Sequence, residues 1–160
     1  MTVRTALTLE EGLERYYQAS PDFTRNQDLY VGWFRVPWID LWRHDIMHVI
    51  TGYGVNLQDE LQLIGFLLTS LTWRRPWYYY PESFVVFLVL LFNSLRGQAW
   101  ESAYIPPHLV CWYYIKGIRQ GFTVRKKIDA YIDPNSVMHC TLDSLREEYG
   151  IRNTSYYWDN

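Results

Sequence analysis

At 160 residues, with 49% hydrophobic and only 20% charged residues, the chain has the make-up of one folded domain rather than a disordered segment. Fifteen Lys and Arg against 17 Asp and Glu give a net charge of −2, which excludes the basic field that duplex nucleic acid requires. Aromatic residues are over-represented at 18%, and such rings fill cores, line apolar pockets or sit at membrane interfaces.

Helical signals run through the chain in order. Thr8-Leu9-Glu10-Glu11 reads as a capping box opening a helix to about Gln18, closed by Ser20-Pro21. Residues 22 to 34 are ambiguous, with a helix expected around Phe23 to Trp33. Val36-Pro37 is a break, and Pro37 can open the next helix, which Trp38, Leu41, Trp42, Asp45, Met47 and Val49 carry to Thr51. Gly52 and Gly54 end it. Asn56 is the expected N-cap of a helix to about Trp73, with Asp59 and Glu60 in its first turn.

Pro76 and Tyr78 to Pro81 form a connection. Pro81 to Leu95 is then helical and apolar all round from Phe84 to Phe92, so it should be buried or lipid-facing. That nine-residue run is the longest apolar stretch, and a bilayer crossing needs about 20 residues. The chain is not expected to span a membrane, although it can still lie on one. Further helices are expected from Pro106-Pro107 to Gln120, over residues 122 to 131, and from Thr141 to Tyr149 with Gly150 as the stop. The reading is all-α: a single compact domain over residues 1–160, of about seven helices. Met1 to Thr5 carry no apolar signal core, and Cys111 and Cys140 do not make a disulfide framework. Reduced thiols in a cytoplasmic setting are expected.

The chemistry concentrates in His44-Asp45-Ile46-Met47-His48. On a helix the two histidines lie about 40° apart on one face, with Asp45 about 60° from His48. Two imidazoles at that spacing can reach one cation at about 2.0–2.1 Å. Glu60 follows His48 by twelve residues, beyond the glycine turn. A helical hairpin over about 37–73 would bring its carboxylate over the same ion. The spacing alone also fits a helix with two surface histidines. Against that, half of the chain's four histidines fall in these five residues, and the flanks are apolar. The pattern is close to the H-E-x-x-H of zinc proteases, but Asp45 is one methylene too short for the general base. Asp45 fits better as a ligand or as a partner of one. The metal and catalytic candidates are His44, Asp45, His48 and Glu60.

His44-Asp45-Ile46-Met47-His48, the eleven residues Val49 to Asp59, and Glu60 together resemble the hallmark of the coenzyme Q biosynthesis protein 4 family. Gly52, Asn56 and Leu57 look similar within the spacer. Leu142-Asp143-Ser144-Leu145-Arg146-Glu147-Glu148-Tyr149-Gly150-Ile151 is similar to that family's closing segment, and Lys116-Gly117 to its Gly-rich basic helix. Asp59 departs from the family's usual Gly before the Glu, and its Trp-Glu before the last helix is not evident near Met138 to Cys140.

The resemblance implies an all-helical fold, one divalent metal ion and a prenylated hydroxybenzoate substrate, decarboxylated oxidatively at ring C1. It implies partnership with other quinone biosynthesis enzymes. It further implies peripheral attachment to the cytoplasmic membrane or, in a eukaryote, to the matrix face of the mitochondrial inner membrane. Zinc is the first expectation for the ion, with iron or magnesium next. A prenyl tail needs an apolar channel, for which Phe66, Leu67, Leu71, Phe84, Phe87, Leu88 and Leu91 are candidates, and Trp77 to Tyr80 could anchor at an interface. Arg43, beside His44, is a candidate for a substrate carboxylate. A symmetric dimer is the default assembly. Two other functions fit the residues: a non-catalytic prenyl-lipid scaffold and a small zinc hydrolase.

Overall fold

The computed structural model describes residues 7–20, 25–31, 34–72, 80–99, 103–152 and 158. Among them the fold is helical, with seven helices and one short hairpin: α1 (Leu9–Ala19), β1 (Leu29–Val31), β2 (Phe34–Val36), α2 (Trp38–Thr51), α3 (Leu57–Ser70), α4 (Tyr80–Leu95), α5 (Pro107–Phe122), α6 (Pro134–Val137) and α7 (Leu142–Tyr149). The expected caps are in place. Thr8 and Glu11 close a reciprocal box, Asn56 accepts from the Asp59 amide, and Thr141 accepts from the Ser144 amide. Gly52 and Gly150 end α2 and α7 in the left-handed region, at φ 75° and 70°.

Two expected helices are absent among the described residues. Leu29–Val31 pairs antiparallel with Phe34–Val36 instead, with Tyr30 opposite Arg35, while residues 23, 24, 32 and 33 of the expected helix lie outside the described residues. Branched and aromatic residues on both sides of a two-residue connection suit a pleated hairpin better than a helix. The hairpin serves α2. Pro37 has no side chain to cap that helix, and the Asp28 carboxylate accepts from the Trp38 amide at 2.8 Å instead. The stretch 122–131 is not helical beyond Phe122 either. Its backbone bonds go to other elements: Arg125 to the Tyr149 carbonyl, and Ile128 to Ser70 and Thr72. That pairing with Ile128 also stops α3 at Ser70, short of Trp73.

Two hydrophobic clusters share α3 as their common wall. Leu63 and Phe66 face α1, α2, α7 and Trp158, while Leu61 faces Phe87, Leu90, Val110 and Tyr114 of α4 and α5. α3 and α5 touch backbone to backbone. A Cβ added at Gly117 would lie 1.9 Å from the Gln62 carbonyl oxygen, and one at Gly65 would lie 2.2 Å from that of Tyr114.

Arg146 is buried and fixes the end of the helix that carries the histidines. Its Nε donates to the Ile50 carbonyl at 2.9 Å and a terminal nitrogen to that of Val49 at 3.1 Å. Removing it leaves those carbonyls buried without these donors. Arg146→Ala should therefore lower stability by about 2–4 kcal/mol in urea unfolding. A loss under about 1 kcal/mol would mean that other donors fill the gap.

Candidate metal centre

Helix α2 carries both histidines, and the turn tying α2 to α3 sets the carboxylate. In that turn the Asp59 carboxylate accepts from the Gly54 amide at 3.1 Å and from the Asn56 side chain at 2.8 Å. This closes the hairpin and places Glu60, one residue on, over the histidine face of α2. His48 Nε2 lies 3.0 Å from Glu60 Oε1, His44 Nε2 lies 3.4 Å from Glu60 Oε2, and the two Nε2 atoms are 3.1 Å apart. Donors about 2.0–2.1 Å from one ion are about 2.9 Å apart at right angles and about 3.4 Å apart at tetrahedral angles. Each distance falls in that range, the two to Glu60 running to different carboxylate oxygens, Oε1 for His48 and Oε2 for His44. His44, His48 and Glu60 form a group able to hold a metal ion.

The surroundings select the donor atoms. His48 is sealed from solvent, whereas the His44 and Glu60 side chains are 33% and 28% exposed. The site therefore opens to the surface on the His44–Glu60 side. His48 Nδ1 approaches the Tyr53 carbonyl at 3.4 Å. A carbonyl only accepts, so Nδ1 is placed to donate to it, which would leave Nε2 to bind a metal ion. The Trp158 indole donates to the same carbonyl at 2.8 Å. Burial pushes the Glu60 carboxyl up, but the His48 and His44 imidazoles outweigh it and hold the group well below the usual carboxylate range. Burial pulls the His44 imidazole down, and the Glu60 carboxylate more than reverses this.

Asp45 is not among the three converging donors. It is buried, and its two oxygens accept from the hydroxyls of Tyr16 at 3.0 Å and Tyr17 at 2.9 Å, both on α1. The Tyr16 ring stacks on that of His48 with centroids 5.4 Å apart. Tyr16, Tyr17, Tyr53 and Trp158 escape a sequence reading because only the tertiary fold brings them to the site. The one available signal is the aromatic, apolar face of α1. Arg43 pairs with Asp40 at 3.1 Å and donates to the Ile132 carbonyl at 3.0 Å.

The lipid candidates divide. Phe66 and Phe87 are core residues, and Phe87 stacks on Tyr114. Leu67 and Leu71 pack around the first cluster and Leu91 around the second, while Phe84 and Leu88 are exposed. Trp77 to Tyr79 lie outside the described residues. No described helix is long and apolar enough to cross a membrane. Comparison with family models, with curated proteins and with solved structures finds no match to this chain.

Proposed function

We propose that this protein is a metal-dependent enzyme that acts on a prenylated hydroxybenzoate and removes its ring carboxylate, an oxidative step in quinone biosynthesis. The observation that carries the metal is the convergence of His44, His48 and Glu60, whose imidazole nitrogens lie 3.1 Å apart and each within 3.4 Å of a Glu60 carboxylate oxygen. The substrate class rests on the resemblance of the His44-to-Glu60 pattern. Two imidazoles and one carboxylate suit catalytic zinc, and they also suit non-haem iron, because both leave positions open for substrate. Such an ion supplies Lewis acidity toward a carboxylate or phenolate. Zinc has no redox chemistry, so oxidation at C1 would call for a redox-active ion such as iron(II), dioxygen and a two-electron donor, with one oxygen atom going to the ring and the other to water, whereas loss of carbon dioxide with a proton taking its place would need none of these.

The chain's own residues hold the site. Glu60 contributes the negative charge, the Tyr53 carbonyl sets the His48 tautomer, and the exposed His44–Glu60 side admits the head group. Elemental analysis and lipid mass spectrometry of the purified protein test the ion and the ligand together. Turnover of a prenylated hydroxybenzoate that vanishes in a folded His48→Ala variant supports the reading. Unchanged turnover removes the site from the chemistry, and lipid binding without conversion under any metal favours the scaffold.

The same reading places the protein at a membrane surface. α4 exposes Phe84, Val85, Leu88, Val89, Phe92 and Leu95. α5 exposes Trp112 and Ile115 near Lys116 and Arg119, and from Ala103 to Ile128 the chain carries five basic residues and no carboxylate. Apolar faces flanked by cations fit an anionic bilayer surface. The wild type should sediment with phosphatidylglycerol vesicles and a Leu88→Glu variant should remain in solution. Equal sedimentation of the two would exclude α4 as the contact.

A further inference from the structure

We propose that Asp45 is an outer anion of the metal centre rather than one of its ligands, and that Tyr16 and Tyr17 of α1 are positioning residues that hold it there. This rests on the metal reading above and adds a third helix to the site.

Both Asp45 oxygens accept from phenol hydroxyls, at 3.0 and 2.9 Å, so each already has a donor directed at it. Each oxygen keeps a second lone pair, so what sets Asp45 apart is direction: the two bonds hold its carboxylate toward α1, and it is not among the converging donors. The tyrosines are themselves fixed. They meet edge to face with centroids 5.3 Å apart, and Tyr16 packs against Trp158 at 4.9 Å. Tyr16 thus touches both halves of the device, with its hydroxyl on Asp45 and its ring on His48.

Charge gives the arrangement its use. A divalent ion with two neutral imidazoles and the Glu60 carboxylate leaves one positive charge in a largely buried setting. The Asp45 carboxylate neutralises it from the next shell, as partners of metal ligands commonly do. The triad then sees a balanced ion and keeps its open positions for substrate, which a fourth protein ligand would reduce.

Cobalt(II) titration of the metal-free protein, read through visible ligand-field bands and chelator competition, tests this. The wild type should bind with a defined band set, and failure to bind would overturn the metal reading itself. Asp45→Asn keeps the size and one acceptor but removes the charge. It should weaken cobalt binding by about 10–100-fold with the bands unchanged. Tyr17→Phe should do the same to a smaller degree, and circular dichroism checks the fold of both. If wild-type protein binds cobalt but Asp45→Asn moves the bands, Asp45 is a ligand and the proposal fails. It fails equally if both folded variants bind as tightly as wild type, since a purely structural role would alter unfolding and leave affinity alone.

Discussion

Glu60→Gln should abolish tight metal binding while leaving the helical fold intact. Gln matches Glu in volume and keeps one carbonyl oxygen facing the histidines, so packing changes little. What disappears is the negative charge lying 3.0 Å from His48 Nε2 and 3.4 Å from His44 Nε2. Losing an outer partner of a metal ligand costs about 10–100-fold in affinity, and losing a charged ligand should exceed that. Chelator competition against zinc measures it. A loss under tenfold would show that Glu60 is not a donor.

The pH dependence has a definite sign. In the metal-free protein the Glu60 carboxylate raises the His44 pKa, so an incoming ion must displace a proton. Metal affinity should therefore climb as pH rises through and beyond about 6.5, the ordinary histidine value. In the metal-free protein the His44 contribution to stability runs the other way. Stability from the raised His44 is fully present below the unfolded histidine pKa and is lost as pH rises through the folded one. Stability from the depressed Glu60 is present above the unfolded carboxylate pKa and is lost as pH falls through the folded one. Thermal unfolding with and without zinc should thus diverge between pH 6 and 8, and parallel curves would contradict the site.

Gly117→Ala should be the most damaging single methyl in the described fold. Its Cβ would sit 1.9 Å from the Gln62 carbonyl oxygen and 2.9 Å from the Phe66 nitrogen, both of the α3 backbone. No side chain can rotate away, so α3 and α5 must separate. Overpacking typically costs about 1–3 kcal/mol, and a clash with backbone belongs at or above the upper end. For a chain of this length that lowers the melting temperature by roughly 6–12 °C. Gly97→Ala is the control. Nothing lies within 4 Å of its added Cβ, and only the left-handed φ of 70° is strained, costing about 1 kcal/mol. Equal effects of the two substitutions would mean that the helix crossing is looser than described. Because α3 also carries Glu60, Gly117→Ala should weaken metal binding as well.

Much of this protein could be read locally. Thr8, Asn56, Thr141, Gly52 and Gly150 announce helix ends because caps and left-handed stops depend on residues within a few positions of one another. His44, His48 and Glu60 could be read as a group because four residues on a helix, then a short turn, is still a local relation. The two failures have different causes. Residues 122–131 contain nothing that forbids a helix. They are drawn out because Arg125 and Ile128 bond to Tyr149, Ser70 and Thr72, partners far along the chain. The hairpin at Leu29–Val36 was masked by hydrophobic residues that fit either period.

Asp45 marks the boundary between the two kinds of information. By itself the sequence determined that a carboxylate stands beside the histidines, that two helices face each other across a glycine turn, and that Glu60 begins the second. Only the tertiary structure decided that Asp45 turns to Tyr16 and Tyr17, that His48 is buried with the Tyr16 ring stacked on it and Nδ1 toward the Tyr53 carbonyl, and that glycines let α5 lie directly on α3. The physical reason is range. Helix propensity, capping and ligand spacing act over a few residues, whereas the direction of a buried carboxylate depends on which distant hydroxyl packing brings within 3 Å.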